Sequence, residues 1–228
     1  MNVQQFPLTI SFIDLRNYFF NIVPFARIIH DKSVVGPFTK LQGRCVEVGA
    51  GKYDYRNYAV NCTEYIRSNN APTSDSSIIY QDATSLDFES GTLDSVVMLG
   101  TLEHIYEYET VIKEVYRVLK PGGYFVLTVP WLFPYHGAPR DYHRFSIEAL
   151  KLLFKSFSSM RVDAVGNYWT TQAIFLQRPS YSRTSRAEKA RWFDYILRAI
   201  GIVFIIIGRN SMANDDNYAA LYSCLFRK

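Results

Sequence analysis

Apolar positions change their period along this chain. Up to about residue 40 they fall at mixed spacings of three and four, which predicts short helices over 9–23 and 25–32 separated by Pro24. From residue 44 short apolar runs alternate with helical ones. Arg44–Val48 reads as a strand ending in Gly49-Ala50-Gly51, Glu64–Ser68 as a weaker second strand, and Ser77–Tyr80 as a third that stops at Gln81-Asp82. Leu93–Leu99 is the fourth. Tyr108 to Lys120 then carries apolar side chains at 111, 112, 115, 116, 118 and 119, an amphipathic helix stopped by Pro121-Gly122-Gly123. Tyr124–Val129 is the fifth strand, and Ser146 caps a helix running to about Phe157. Arg161–Val165 and Tyr218–Phe226 close the series as strands.

Strands separated by helices predict a doubly wound α/β sheet, in which ligands sit outside the carboxyl ends of the strands. The chain divides into an N-terminal helical extension over 1–40 and an α/β domain over 41–228, with a hydrophobic helical insertion around 185–210. That insertion contains the longest apolar run, Trp192–Ile207, sixteen residues interrupted by Asp194 and Arg198. It falls short of the roughly 18–20 residues that span a bilayer. Either protein covers it, or it rests in a membrane interface with Arg183, Arg186, Lys189 and Arg191 toward lipid phosphates.

Composition narrows the function. Of 228 residues 48% are hydrophobic and 20% charged, enough to bury a full core, which excludes global disorder. The net charge of +4 is too small and too scattered to argue for nucleic acid. Cys45, Cys62 and Cys224 are odd in number and far apart, so neither a disulfide framework nor a CxxC zinc site is expected, which suits the cytoplasm. The N-terminus lacks a basic stretch and carries Asp14 and Arg16 within its apolar part, unlike a signal peptide.

The turn after the first strand, Glu47-Val-Gly49-Ala-Gly51, lets a ligand approach the backbone and places an acid at a strand end. It departs from the dinucleotide fingerprint, because Asp54 stands where a third glycine belongs. Only fifteen residues separate Gly51 from Arg67, too few for a full helical crossover, and hydride transfer becomes the weaker reading.

Four ordered motifs resemble those of the class I S-adenosylmethionine-dependent methyltransferases. They are Val46-Glu-Val-Gly-Ala-Gly51; Gln81-Asp82-Ala83-Thr-Ser-Leu86-Asp-Phe88; Leu93-Asp-Ser-Val-Val-Met98 followed by Leu102-Glu103-His104; and Glu114-Val-Tyr-Arg117-Val-Leu119-Lys120-Pro-Gly-Gly123. Together they cover about residues 44–157. The resemblance implies a Rossmann-like, seven-stranded mixed sheet with the last strand antiparallel, S-adenosylmethionine as cofactor and S-adenosylhomocysteine as product. It places Glu47, Gly49 and Gly51 at the cofactor, Asp82 at the adenine amino group with Ala83 beside it, and Gly100 and Thr101 by the methionine portion. At the ribose, where the family carries an acid, this chain has Asn69, with Glu64 or Asn70 as substitutes. The truncated crossover and the segment Val129–Phe145 further resemble a bacterial subgroup associated with sugar methylation in surface polysaccharides.

Methyl transfer to oxygen needs a place for the acceptor's proton, and histidine titrates near neutrality. His104, His136 and His143 follow strands on the ligand side, whereas His30 reads as structural or surface. The loop Trp131–Phe145, held by Pro130, Pro134 and Pro139, is the expected acceptor wall. His136 or His143 would be the base, with His104 as the next choice, and Arg140, Asp141, Tyr142 and Arg144 would bind substrate. The competing reading of this loop is an internal Asp141–Arg144 pair. His136, Asp141 and His143 have no recognisable metal-ligand spacing, so no metal is expected. Gly100-Thr-Leu-Glu103 also replaces the Asn/Asp-Pro-Pro-Tyr/Phe of nucleobase methylating relatives. The expected activity is O-methylation of a small-molecule, sugar or glycolipid acceptor, with no nucleic acid partner. A lipid-soluble acceptor such as a quinone or fatty acid, a non-catalytic binding module, peripheral contact at the inner face of a membrane, and a homodimer all stay open.

Overall fold

Cys45–Val48 and Ser95–Met98 are buried residue after residue, as central parallel strands between two helical layers must be. A computed structural model of the chain describes residues 3–5, 9–20, 23–137, 140–177, 192–210 and 216–228. Its strands are β1 (Val3–Gln5), β2 (Gly43–Val48), β3 (Cys62–Asn69), β4 (Ile78–Tyr80), β5 (Leu93–Leu99), β6 (Leu119–Pro130), β7 (Ser159–Val165) and β8 (Leu221–Arg227). They form one sheet in the order β1-β7-β8-β6-β5-β2-β3-β4. β8 runs antiparallel to β6 and β7, and the other pairs are parallel. The strand order reverses between β2 and β5, which puts the ligand crevice at their carboxyl ends.

The helices are α1 (Phe12–Phe19), α2 (Phe25–Phe38), α3 (Tyr108–Val118), α4 (Ile147–Leu153), α5 (Tyr168–Leu176) and α6 (Trp192–Asn210). α3 and α4 cover one face around Val115, Leu150, Phe154 and Phe226. α1, α2, α5 and α6 contribute Tyr18, Phe25, Ile29, Ala173 and Ile205 to a second core. Gly201 permits close approach of α6 to α1, since a Cβ there would overlap the Tyr18 hydroxyl, which donates to Ala173 O at 2.9 Å.

All seven expected strands form, with β8 antiparallel, and β1 adds an eighth at the edge beside β7. The helix expected through Lys120 stops at Val118 because Leu119 already pairs with Leu93 in the sheet. α4 ends at Leu153, and Phe154 leaves it to stack on Phe226 with centroids 4.1 Å apart. α2 continues past residue 32 because Val34 and Phe38 are also buried. α5 has no counterpart in the sequence reading. Its buried face is Thr170, Thr171, Ala173 and Ile174, which gives no apolar stripe, and its start is fixed by a capping box between Asn167 and Thr170. Between β2 and β3 the crossover holds only a 3-10 turn, Arg56–Tyr58.

The hydrophobic run near the C-terminus forms α6. Its Asp194 and Arg198 point inward, and Arg198 donates to Phe19 O at 3.2 Å. Phe193, Ile196, Ile200, Val203 and Ile207 are exposed on the outward face. Among the described residues no helix is long and apolar enough to cross a membrane. Arg183, Arg186, Lys189 and Arg191 lie outside the described residues.

Candidate functional site

The glycine turn closes against its own sheet. Gly49 has φ +81°, and its amide and that of Ala50 donate to Ser68 O at 2.9 and 2.8 Å. Arg67, on the neighbouring strand and 3% exposed, bolts the loop from beneath by donating to Gly51 O at 2.5 Å, Tyr53 O at 3.1 Å and Asp75 at 2.8 Å. Glu47 is directed to this same buried cluster. Its Oε2 accepts from the Tyr65 hydroxyl at 3.2 Å and lies 3.7 Å from Arg67 Nε. Burial pushes the Glu47 carboxyl up to about 7, against the pull of the Arg67 charge.

That shift has a sign that can be measured. A carboxyl raised from 4.5 toward 7 contributes stability that is complete below about pH 4.5 and is lost as the pH rises through 7. The stability of the protein in urea should therefore fall between pH 5 and pH 8. Glu47→Gln should remove about 2–3 kcal/mol of that fall. An equal fall in both proteins would mean that Glu47 is already ionised in the fold.

Beyond the turn lies a cleft of about 760 Å³ lined by Asn70, Asp82, Thr84, His104, Tyr106 and Arg140, among others. This lies within the range of about 300–1,000 Å³ typical of ligand pockets. Asn69 spans from β3 to the turn, its Nδ2 donating to Ala50 O at 3.0 Å. Asp82 Oδ1 accepts from the Thr84 amide at 2.8 Å and hydroxyl at 2.7 Å, so an adenine amino group would be met by Oδ2. Ala83, next to it, is buried. No atom lies within 4 Å of where a Gly51 Cβ would be, so the turn leaves room there for a ligand.

A second, smaller pocket of about 170 Å³ opens at the ends of β5 and β6. Gly100, Thr128, Phe133 and His136 line it from the sheet side, and α2 contributes Arg27 and His30. From sequence His30 is expected to be structural or at the surface. In the fold its Nε2 lies 2.9 Å from Thr128 Oγ1 and its Nδ1 3.3 Å from Asp31 Oδ1, which also accepts from the Tyr55 hydroxyl. Arg27, His30 and Asp31 sit at helical spacings of three and four, and that periodicity was the available signal for a shared polar face.

Glu103, His104 and His136 come together. His104 lines the larger cleft and His136 the smaller pocket, with ring centroids 4.9 Å apart. The Nε2 atoms of His136 and His104 lie 3.4 and 3.8 Å from Glu103 Oε1. Asp141, whose side chain is 1% exposed, holds His136 from behind: Oδ2 accepts from the His136 amide at 3.0 Å and faces Nδ1 at 3.1 Å. Arg144 grips the same carboxylate at 2.5 and 2.7 Å. Burial would raise the Asp141 pKa, but the hydrogen bonds of Arg144 and of the His136 amide, with the nearby positive charges, bring it to about 2.

The structure thus brings His104, His136 and Asp141 together and pairs Asp141 internally with Arg144. His143 lies apart, with Nε2 on Tyr106 O at 3.3 Å and its ring between Tyr108 and Phe145. Arg140 and Tyr142 line the larger cleft and are linked to each other at 3.3 Å. Thr101 packs its side chain against Gly49, and Gly100 lines the smaller pocket. Glu103 stands in the Leu102-Glu103-His104 motif, whose spacing alone does not mark it as a site residue.

Residues 43–127 match the family model described as a methyltransferase domain. A demethylmenaquinone methyltransferase of Oceanobacillus iheyensis is 34% identical over 84 residues, 35% of this chain and 35% of that relative. A sterol methyltransferase-like protein of Botryococcus braunii is 45% identical over 49 residues, 22% of this chain and 12% of that relative. The aligned part therefore spans about a third or less of these curated relatives. The fold is similar to that of a SAM-dependent methyltransferase from Archaeoglobus fulgidus over 96% of this chain and 100% of the other, with TM-score 0.57 and 13% identity. It is also similar to phosphoethanolamine N-methyltransferase 2 of Haemonchus contortus in complex with S-adenosylmethionine, over 95% of this chain and 56% of the other, with TM-score 0.54 and 18% identity. At these identities the likeness is one of fold, and the fold is the Rossmann-like one of these methyltransferases.

Proposed function

We propose that the chain is an S-adenosylmethionine-dependent methyltransferase that O-methylates a small-molecule, sugar or glycolipid acceptor. The observation that carries this reading is one side-chain cluster that reaches two spaces. His104 lines a cleft sized for a cofactor, His136 lines a pocket sized for part of an acceptor, and both rings approach Glu103. When bound, the cofactor supplies a sulfonium methyl, already an electrophile. The chain's residues then have three tasks. Asn69, Asp82 and the Gly49–Gly51 turn hold the donor; Phe133, Leu99 and Pro130 exclude water from the smaller pocket; and Arg27 and His30 orient the acceptor. With the donor bound, the new O–CH₃ bond would form as the S–CH₃ bond broke to leave a neutral thioether, and the acceptor's O–H proton would be released beside the Glu103–His104–His136 cluster. The association of the resembling bacterial subgroup with surface polysaccharides favours sugar acceptors.

The test is calorimetry with S-adenosylhomocysteine followed by transfer of labelled methyl to sugar nucleotides and glycolipids. Binding with transfer supports the reading. Binding without transfer to any acceptor refutes the enzymatic part, and no binding at high micromolar concentration makes the chain a methyltransferase-like scaffold.

The exposed apolar face of α6 favours a second reading, an acceptor drawn from a lipid phase such as a quinone or fatty acid. The demethylmenaquinone and sterol relatives give it chemical company. Flotation with liposomes, and label appearing in a quinone or fatty acid, would select it over the sugar acceptor.

A further inference from the structure

We propose that Glu103, His104 and His136 form a site for one divalent transition-metal ion of Zn²⁺ character, with an open position between the two ligand spaces. Their three donor atoms, one carboxylate oxygen and two ring nitrogens, all lie within 4.8 Å of one another. Two of the separations, 3.4 and 3.8 Å, are close to the roughly 3.3 Å expected between ligands of a tetrahedral zinc ion with bonds of about 2.0–2.1 Å. Two histidines and a glutamate are also a donor set that binds catalytic zinc and leaves a fourth position for water or substrate.

The tautomers strengthen the case. His104 Nδ1 lies 2.5 Å from Arg140 O, and a carbonyl can only accept, so Nδ1 carries the proton. His136 Nδ1 faces Asp141 Oδ2 at 3.1 Å and Pro134 O at 3.3 Å, again two acceptors. With the Nδ1 atoms given to these acceptors, the Nε2 atom of each ring is left for a ligand, and both lie near the same Glu103 oxygen. Metal-bound histidines show this outer arrangement, the second nitrogen donating to a carbonyl or carboxylate. Glu103 is 1% exposed, and neither of its carboxylate oxygens has a hydrogen-bond donor among the described residues. A buried carboxylate with no donor to satisfy it is costly as it stands. A cation held by all three donor atoms would neutralise it and use both Nε2 atoms. The loop is anchored for this geometry, since Glu103 O accepts from the amides of Tyr142 and His143 at 2.9 and 3.3 Å.

Only the use of the ion rests on the methyltransferase reading; its binding does not. In use, the open position would take the acceptor's hydroxyl oxygen and lower its pKa, so that the O–H proton passes to solvent and the oxygen attacks as an alkoxide. His136 is then a ligand held in place by Asp141. Its Nε2 does not receive the proton.

The experiment uses the full chain, stripped with a chelator and titrated with Zn²⁺ and separately with Co²⁺. One equivalent should bind in the micromolar range or tighter, and Co²⁺ should give the intense visible bands of a four-coordinate site. Glu103→Gln and His104→Gln should each weaken binding by at least tenfold, and His143→Gln should leave it unchanged. The Co²⁺ spectrum of the unmodified protein keeps the test decisive if a variant fails to fold. Failure to bind Zn²⁺ at 100 μM, or binding indifferent to both ligand variants, overturns the site. Titration with S-adenosylhomocysteine separates the two ideas. If it binds and Zn²⁺ does not, the metal site alone is wrong; if Zn²⁺ binds and it does not, the methyltransferase reading is wrong.

Discussion

Replacing Asp141 with alanine is expected to destabilise the protein by about 3–5 kcal/mol, the range seen when one partner of a buried ion pair is removed. Its carboxylate is 1% exposed and is approached by the Arg144 guanidinium at two atoms, the His136 amide and the His136 ring. Without it, Arg144 keeps, among the described residues, the Phe133, Pro134 and His143 carbonyls, and His136 Nδ1 loses the nearer of its two acceptors. Two readouts should move together: the urea midpoint, and turnover or metal affinity at His136. Asp141→Asn retains the shape and one acceptor, so it should lose less stability yet still disturb the ring. Acid titration offers a check on the sign. A carboxyl held at about 2, below its usual 3.8, contributes stability that is present above pH 3.8 and disappears as the pH falls through 2. An alanine variant within 1 kcal/mol of the parent would show that the prolines, and not this pair, hold the loop.

The sheet was legible because β5 and β6 are apolar for four residues running, Val96–Leu99 and Tyr124–Leu127, and end at Gly100 and Pro130. β2 is short, but its glycine turn marks its end. The misses have a common cause. α5 buries two threonines and is fixed by a side-chain cap, and neither property produces an apolar period. β1 is three residues long, too short to establish any alternation, and owes its place to pairing with β7. At the candidate site, Gly49, Asn69 and Asp82 can be named from the motifs because those positions are defined by distance from strand ends, and they stand at or just after the ends of β2, β3 and β4. Which histidines meet is a matter of tertiary approach. His136 reaches Glu103 because Asp141 turns it, and His143, seven residues later, is carried away by packing against Tyr108 and Phe145. His30 enters the pocket from a helix whose docking on the sheet no local pattern reports.

Gly49→Val should abolish cofactor binding, with a loss of at least a hundredfold in affinity for S-adenosylhomocysteine by calorimetry. Two independent obstacles act at this position. The backbone sits at φ +81°, a region that costs a residue with a Cβ about 1–2 kcal/mol and a β-branched one more. The added Cβ would also overlap the Thr101 side chain, whose Oγ1 and Cβ would lie 2.5 and 2.9 Å away. Either the turn after β2 shifts or the turn after β5 does, and the crevice at the switch point lies between exactly those two turns. A double-variant cycle separates the obstacles. Gly49→Ala with Thr101→Gly removes the collision but keeps the backbone strain, so it should recover most of the binding lost in Gly49→Ala alone. No recovery would assign the whole effect to the dihedral angle. Normal binding by Gly49→Val in a folded protein would remove the glycine turn from the cofactor site, and with it the assignment of the larger cleft.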